Sequence, residues 1–296
     1  MDENECTDAL HKRPRHRVSL KKIPLRTNRF SGLPQIIHRV LFALFLGQFA
    51  LVGAALWLPL PRLADARWPE GLLAVLATAT TLASLARELP GQNVMLASII
   101  IAVIAGAAQT IGALTGVPFG PYVYTENLGQ LLFYPLPWAV PLVWLVAILS
   151  SRGVARLILR SSRRSPAYGF WLIGLTGLLV VVLDFGLEPF ATSVKHYWLW
   201  NPSKTALAWY TVPWVNFVGW AVTALLILAF VTPVLINKKP IKQPPVYHPL
   251  IVWVLLNSLF SAAASLHQLW PAAAVSALAS LVTAAFAVLG ARRQSG

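Results

Sequence analysis

The sequence predicts an all-α fold: a polytopic integral membrane helical bundle of about eight transmembrane helices, with both termini cytoplasmic. Three observations lead there. Hydrophobic residues make up 57% of the chain and charged residues only 11%, at a mean hydropathy of +0.64, a balance foreign to water-soluble domains. The apolar residues gather into runs long enough to cross about 30 Å of hydrocarbon. The basic residues, finally, are confined almost entirely to alternate loops.

The runs lie at 36–58, 70–87, 92–115, 137–159, 168–190, 211–235, 249–267 and 271–290. The second is the weakest, being rich in Ala and Thr, and the last two are parted only by "HQLWP" at 267–271. Seven spans result if one of these runs is interfacial. Cytoplasmic loops are enriched in Lys and Arg, and alternating the eight spans puts 20 of the 24 basic residues on one side. These are the tail from Lys12 to Arg29, Arg39, Arg87, the five arginines from Arg152 to Arg164, Lys238, Lys239, Lys242, Arg292 and Arg293. Arg62, Arg67, Lys195 and Lys204 fall on the other side. The net charge of +14 is thereby accounted for by topology and anionic lipid rather than by nucleic acid.

Residues 1–30 join an acidic start, "MDENECTD", to the basic run "HKRPRHRVSLKKIPLR" and contain no apolar segment like a signal-peptide core. They read as a disordered basic cytosolic tail. Residues 31–296 read as a single transmembrane helical domain without internal repeat. Cys6, the sole cysteine, lies in the tail, so neither an intrachain disulfide nor a cysteine metal cluster can form.

The alternation brings three unusual segments to one membrane face: "GVPFGPYVYTEN" (116–127), "LDFGLEPFATSVKHYWLW" (183–200) and "VPWVNFVGW" (212–220). Each combines polar groups with apolar and aromatic neighbours. Glu126 and Asn127 lie in the first, Asp184 and Glu188 in the second, and Asn216 in the third. Gly and Pro let the chain turn here, and irregular backbone at membrane depth requires a protein-packed or cavity-lining setting.

Asp184 and Glu188 are four residues apart and share one face at the outer end of the fifth helix. A carboxyl inside a membrane is costly and marks a functional site by default. On the residues alone other roles stay open: Asp184 pairing with a neighbouring helix, Glu188 in headgroup water beside Pro189, Glu126 as a solvated loop acid. Trp138, Trp144, Trp171 and Trp253 fit an interfacial belt or packing. Tyr197, Trp198, Trp200, Trp209, Tyr210 and Trp214 are denser than a belt requires and could shelter a cation by their ring faces.

Several chemistries lack their residues. The six histidines are isolated in sequence, with no pair at helical metal-ligand spacing, against a di-iron hydroxylase. There is no Gly-rich strand-to-helix fingerprint for flavin or nicotinamide. Acidic clusters on two facing helices, which would hold magnesium for a prenyl diphosphate, are also missing. The expectation is a cofactor-free acid site facing an apolar substrate.

The strings "TGVPFGPYVYTENLG" (115–129), "LDFGLEPFA" (183–191), "YWLW" (197–200) and "VPWVNFVGW" (212–220) resemble the carotenoid biosynthesis membrane protein family that includes gamma-carotene and bisanhydrobacterioruberin hydratases. The resemblance implies addition of water to the terminal double bond of a carotenoid end group, in a bacterial inner membrane, with carotenoid and lipid as partners. Such a reaction needs an acid, an aromatic shelter for a tertiary carbocation and a positioned water. A carboxyl among apolar residues keeps its proton available near neutrality. Asp184, the deeper residue, is therefore the expected acid, with Glu188 or Glu126 orienting water and Asn216 as hydrogen-bonding partner. Tyr122, Tyr124, Trp198, Trp200 and Trp214 are the expected substrate-binding residues. An intramembrane carotenoid cyclase or isomerase, and a non-enzymatic isoprenoid-binding protein or transporter, remain the alternatives.

Overall fold

The computed structural model describes residues 32–58, 68–201, 207–236 and 244–293. The predicted tail, and the loops carrying Arg62, Arg67, Lys204, Lys238, Lys239 and Lys242, lie outside the described residues.

Eight α-helices follow in order among the described residues: α1 (Leu33–Trp57), α2 (Trp68–Leu85), α3 (Gly91–Thr115), α4 (Ala139–Ile158), α5 (Tyr168–Pro189), α6 (Trp214–Val231), α7 (His248–Leu266) and α8 (Trp270–Arg292). Seven are long and apolar enough to cross a membrane, and the exception is α2. That helix begins Trp-Pro-Glu and carries Thr78, Thr80, Thr81 and Ser84 on its buried side. This is the weak second run of the sequence. α4 is the hub, packed against α2, α3, α5, α7 and α8, and its Ala, Val and Ser side chains allow close approach. α1 is peripheral: it rests mainly on α2 and turns Ile36, Val40 and Leu44 outward, one turn apart as a lipid-facing stripe requires.

Polar cross-links separate the two ends of the bundle. At one end Arg156 pairs with Glu88 at 2.9 Å. There, too, Asn93 Nδ2 and buried Arg152 donate to the carbonyls of Val234 and Leu235 just beyond α6, a cation suited to a helix C-terminus. The same end joins His38 of α1 to His248 of α7, with ring nitrogens 3.2 Å apart. These two histidines are thus isolated in sequence only: residues 210 positions apart meet because α1 and α7 present the same end.

The other end carries the three unusual segments and an ion pair between Lys195 and Glu70. It is not purely helical. Two-stranded antiparallel ribbons join β1 (Tyr122–Tyr124) to β4 (Trp198–Trp200), β2 (Leu131–Phe133) to β3 (Leu136–Pro137), and β5 (Ala208–Trp209) to β6 (Val212–Pro213). α3 stops at Gly116, whose left-handed φ of 77° closes the helix, a conformation glycine adopts without penalty. Phe119 then inserts between α3 and α6. A Cβ on Gly112 or on Gly219 would come within 2.6 Å of its ring, so both helices need glycine there. That contact explains the Gly in "NFVGW" and locks the loop onto the bundle.

α5 ends differently. Pro189 has no N–H to give the carbonyl of Phe185, and Trp209 Nε1 donates to that carbonyl instead at 3.2 Å. A π-helical turn, Phe190–Val194, follows and leads into β4, a widened turn of the kind frequent at functional sites.

Candidate active site

The β1–β4 ribbon is the frame of the site. Its register pairs Tyr122 with Trp200 and Tyr124 with Trp198. Side chains alternate between faces with period two, so the four aromatic residues share the inner face while Val123 and Leu199 are exposed. "YVY" and "WLW" are the same pattern used twice. The loops are stitched further by Thr125 N to the Tyr197 carbonyl at 2.9 Å and Asn201 N to the Pro121 carbonyl at 2.9 Å.

Beneath the ribbon lie the acids. Asp184, Glu188 and Asn216 are each at most 1% exposed. One helical turn separates the two carboxyls on α5, and the Asn216 amide on α6 bridges them, Nδ2 donating to Asp184 Oδ2 at 3.1 Å and to Glu188 Oε1 at 2.9 Å. The ribbon supplies two further donors: Trp198 Nε1 and Trp200 Nε1 both reach Glu188 Oε2, at 3.0 and 3.1 Å. Three N–H groups from two separate segments, β4 and α6, thus converge on one carboxyl group. A carboxylate offers about four lone-pair positions, so one on Oε1 is left to carry a proton. Among the described residues, Asp184 Oδ1 has no hydrogen-bond partner.

The outer strand holds a second polar knot. Tyr122 and Tyr124 donate to Gln109 Oε1 of α3 at 2.8 and 2.7 Å, and Tyr122 also reaches the Gln109 carbonyl at 3.0 Å. Burial holds both phenols above their ordinary value, so they remain neutral donors at physiological pH.

Two cavities adjoin these groups. The smaller, about 40 Å³, is lined by Gln109, Tyr122, Tyr124, Glu188, Trp198, Trp200 and Asn216, with Phe119 and the stacked pair Trp144 and Trp220 among its apolar walls; these two rings are 4.1 Å apart. One water needs about 10–15 Å³ on this measure. The larger, about 680 Å³, lies among α2, α4, α5, α7 and the 126–131 loop, with predominantly apolar walls, within the size range of ligand sites. Leu128, Val143, Leu187 and Trp198 line both.

The sequence-predicted residues divide accordingly. Glu188, Asn216, Tyr122, Tyr124, Trp198 and Trp200 come together around the small cavity. Asp184 touches Asn216 but lines neither cavity. Glu126 is exposed and lines only the larger cavity, with Glu70 and Asn127. Trp214 lines neither cavity: it is 45% exposed and packs on Phe185 and Phe217. Two positions along a helix turn a side chain by about 200°, so it points away from the cavity that Asn216 lines. Gln109 went unnoticed in the sequence because nothing local marks a lone glutamine in an apolar run. Trp144, read as belt or packing, is a cavity wall.

The family model described as carotenoid biosynthesis protein matches residues 70–283, from α2 into α8. The bisanhydrobacterioruberin hydratase of Haloarcula japonica is 26% identical over 125 residues, covering 42% of this chain and 40% of that protein. The chain therefore aligns with less than half the length of that relative. No solved structure matches.

Proposed function

Because this chain belongs to the carotenoid biosynthesis protein family, we propose that it is a membrane-embedded hydratase adding water to the terminal C=C of a carotenoid end group, with Glu188 as the acid. The observation that carries this reading is the wall shared by the two cavities: a mainly apolar cavity of about 680 Å³ adjoins one of about 40 Å³ that a carboxyl group lines. The name of the Haloarcula relative supports the same reaction.

In the proposed cycle Glu188 gives its proton to the less substituted carbon of the terminal alkene, and the π pair forms the new C–H bond. The tertiary cation left behind sits among the rings of Trp198, Trp200, Trp144 and Trp220, whose faces attract positive charge. The charge on the carboxylate is shared by the indoles of Trp198 and Trp200 and by Asn216, a preorganised set of donors aimed where charge develops. Water adds to the cation, and the resulting oxonium returns a proton to Glu188. The net change is one water added, with nothing oxidised or reduced. Asp184 serves as a positioning residue: by accepting the second Asn216 hydrogen, it fixes the amide that faces Glu188.

The three ribbons and the site belong, in this reading, to the non-cytoplasmic side, because the basic residues are concentrated in the loops opposite. In a Cys6→Ser background, cysteines at Lys195 and Arg164 are expected to label from opposite sides with an impermeant reagent; labelling from one side would refute this orientation. The test of function is expression of the full chain in a host that accumulates lycopene, with mass analysis of the pigment. Hydration adds one water per reacted end. A new pigment of unchanged mass would identify a cyclase or isomerase instead, and lycopene recovered unaltered from folded protein would overturn the enzymatic reading.

A further inference from the structure

We infer that Gln109 holds the attacking water, on a wall of the small cavity separate from the acid, so that protonation and hydration are assigned to different side chains. The inference rests on the hydratase reading above and deepens it.

The ribbon has two kinds of polar tip. Its indoles donate to Glu188 on α5, and its phenols donate to Gln109 on α3. Both phenols converge on the same amide atom, Oε1, which fixes the orientation of the amide. Neither hydrogen of Nε2 is used by the tyrosines. Gln109 is itself only 6% exposed and lines the small cavity together with Glu188, among walls that are otherwise largely apolar. A buried glutamine, costly in an apolar run, is thus turned by two neutral hydroxyls so that its N–H groups can serve a ligand with a lone pair. Water is the lone-pair ligand that hydration consumes, and a space of about 40 Å³ admits it.

An N–H from Gln109 takes one lone pair of the water and leaves the other for the cation. The phenol oxygens, having given their hydrogens to Oε1, are left as acceptors for a water hydrogen. Carbon–oxygen bond formation uses the free lone pair, and the oxonium proton passes to the Glu188 carboxylate. Without the held water, the cation formed by Glu188 can only return a proton, regenerating an alkene.

This predicts a separation that a structural role would not produce. Membranes containing the full-length protein are incubated with lycopene in D2O, and both the alcohol product and deuterium in recovered alkene are measured per unit of folded protein. Gln109→Leu is expected to lower alcohol formation at least tenfold while deuterium exchange into the alkene stays at or above the wild-type level. Glu188→Gln is expected to abolish both. Tyr124→Phe, which removes one of the two hydroxyls that orient the amide, is expected to lower hydration about threefold with exchange retained, and it decides the question if Gln109→Leu does not fold. Wild-type hydration in the folded variants, or hydration and exchange falling by the same factor, would overturn the role of Gln109. Failure of the wild type to form any alcohol would instead overturn the hydratase reading and this inference with it.

Discussion

The two cavities share Leu128, Val143, Leu187 and Trp198 and lie within one half of the bundle, yet they are built differently. The walls of the large one come mainly from helices that pack side by side, and its polar groups, Glu70, Glu126, Asn127 and Gln130, come from the loops and helix starts at the outer end. The small one is walled by α3, α4, α5 and α6 and roofed by a β-ribbon that carries its hydrogen bonds into the space between them. Helices alone make a good apolar container, because their backbone polar groups are satisfied internally. Fixing two indole N–H groups on one carboxyl and two phenol O–H groups on one amide takes a second kind of backbone, one whose alternate side chains all point the same way.

Removing the acid should break this contrast most strongly. Glu188→Gln is expected to lower alcohol formed per folded protein by about a hundredfold to ten-thousandfold, as loss of a positioned general acid does. Asp184→Asn should cost about tenfold through a misoriented Asn216, and Glu126→Gln, at the rim of the other cavity, less than about twofold. A collapse in Asp184→Asn with near-normal Glu188→Gln would return the proton to Asp184, and normal rates in all three would end the carboxyl mechanism.

Filling the large cavity tests the other half. Ala74→Trp, on its α2 wall, is expected to reduce co-purified pigment and lycopene turnover about tenfold, in keeping with lost apolar burial of the substrate. A short isoprenoid alkene, whose end group reaches Glu188 while most of the large cavity stays unfilled, should be hydrated as before. If both substrates suffer equally, the two chambers are not separable.

The roof should be sensitive where it meets the acid and tolerant elsewhere. Trp198→Phe removes an indole N–H from Glu188 Oε2 and is expected to lower turnover about tenfold, in line with loss of a charge-stabilising donor. Trp214→Phe should stay within about twofold, since its ring packs away from the cavity; a larger loss would restore it as a substrate contact. Gly219→Ala presses a methyl group on Phe119 and should destabilise the protein by about 1–3 kcal/mol, read as a lower melting temperature in detergent.

The smallest effect is a pH dependence. Burial raises the phenols of Tyr122, Tyr124 and Tyr197, so above the ordinary phenol value of about 10 the folded state holds more protons than the unfolded one. The contribution of these phenols to stability should be level below that pH and decline above it. Tyr122→Phe and Tyr124→Phe should flatten the decline, and an unchanged slope in both would separate it from the ribbon.

Much of the architecture was present in the chain itself. Apolar run length determined the helices, because a bilayer accepts little else, and the weak Ala/Thr run proved to be the least span-like in composition of the eight described helices. Gly116 and Pro189 marked real helix ends for local steric reasons. The acids and Asn216 stood out because polar groups in apolar sequence are expensive. Tertiary structure decided what no local pattern encodes. It turned Glu188 rather than Asp184 toward a cavity and set Trp214 aside by its helical phase. It joined His38 to His248, and it paired "YVY" with "WLW" so that one ribbon reaches both Glu188 and Gln109. Each of these depends on the relative rotation and register of segments far apart in the chain, which close packing fixes only once all of them are in place.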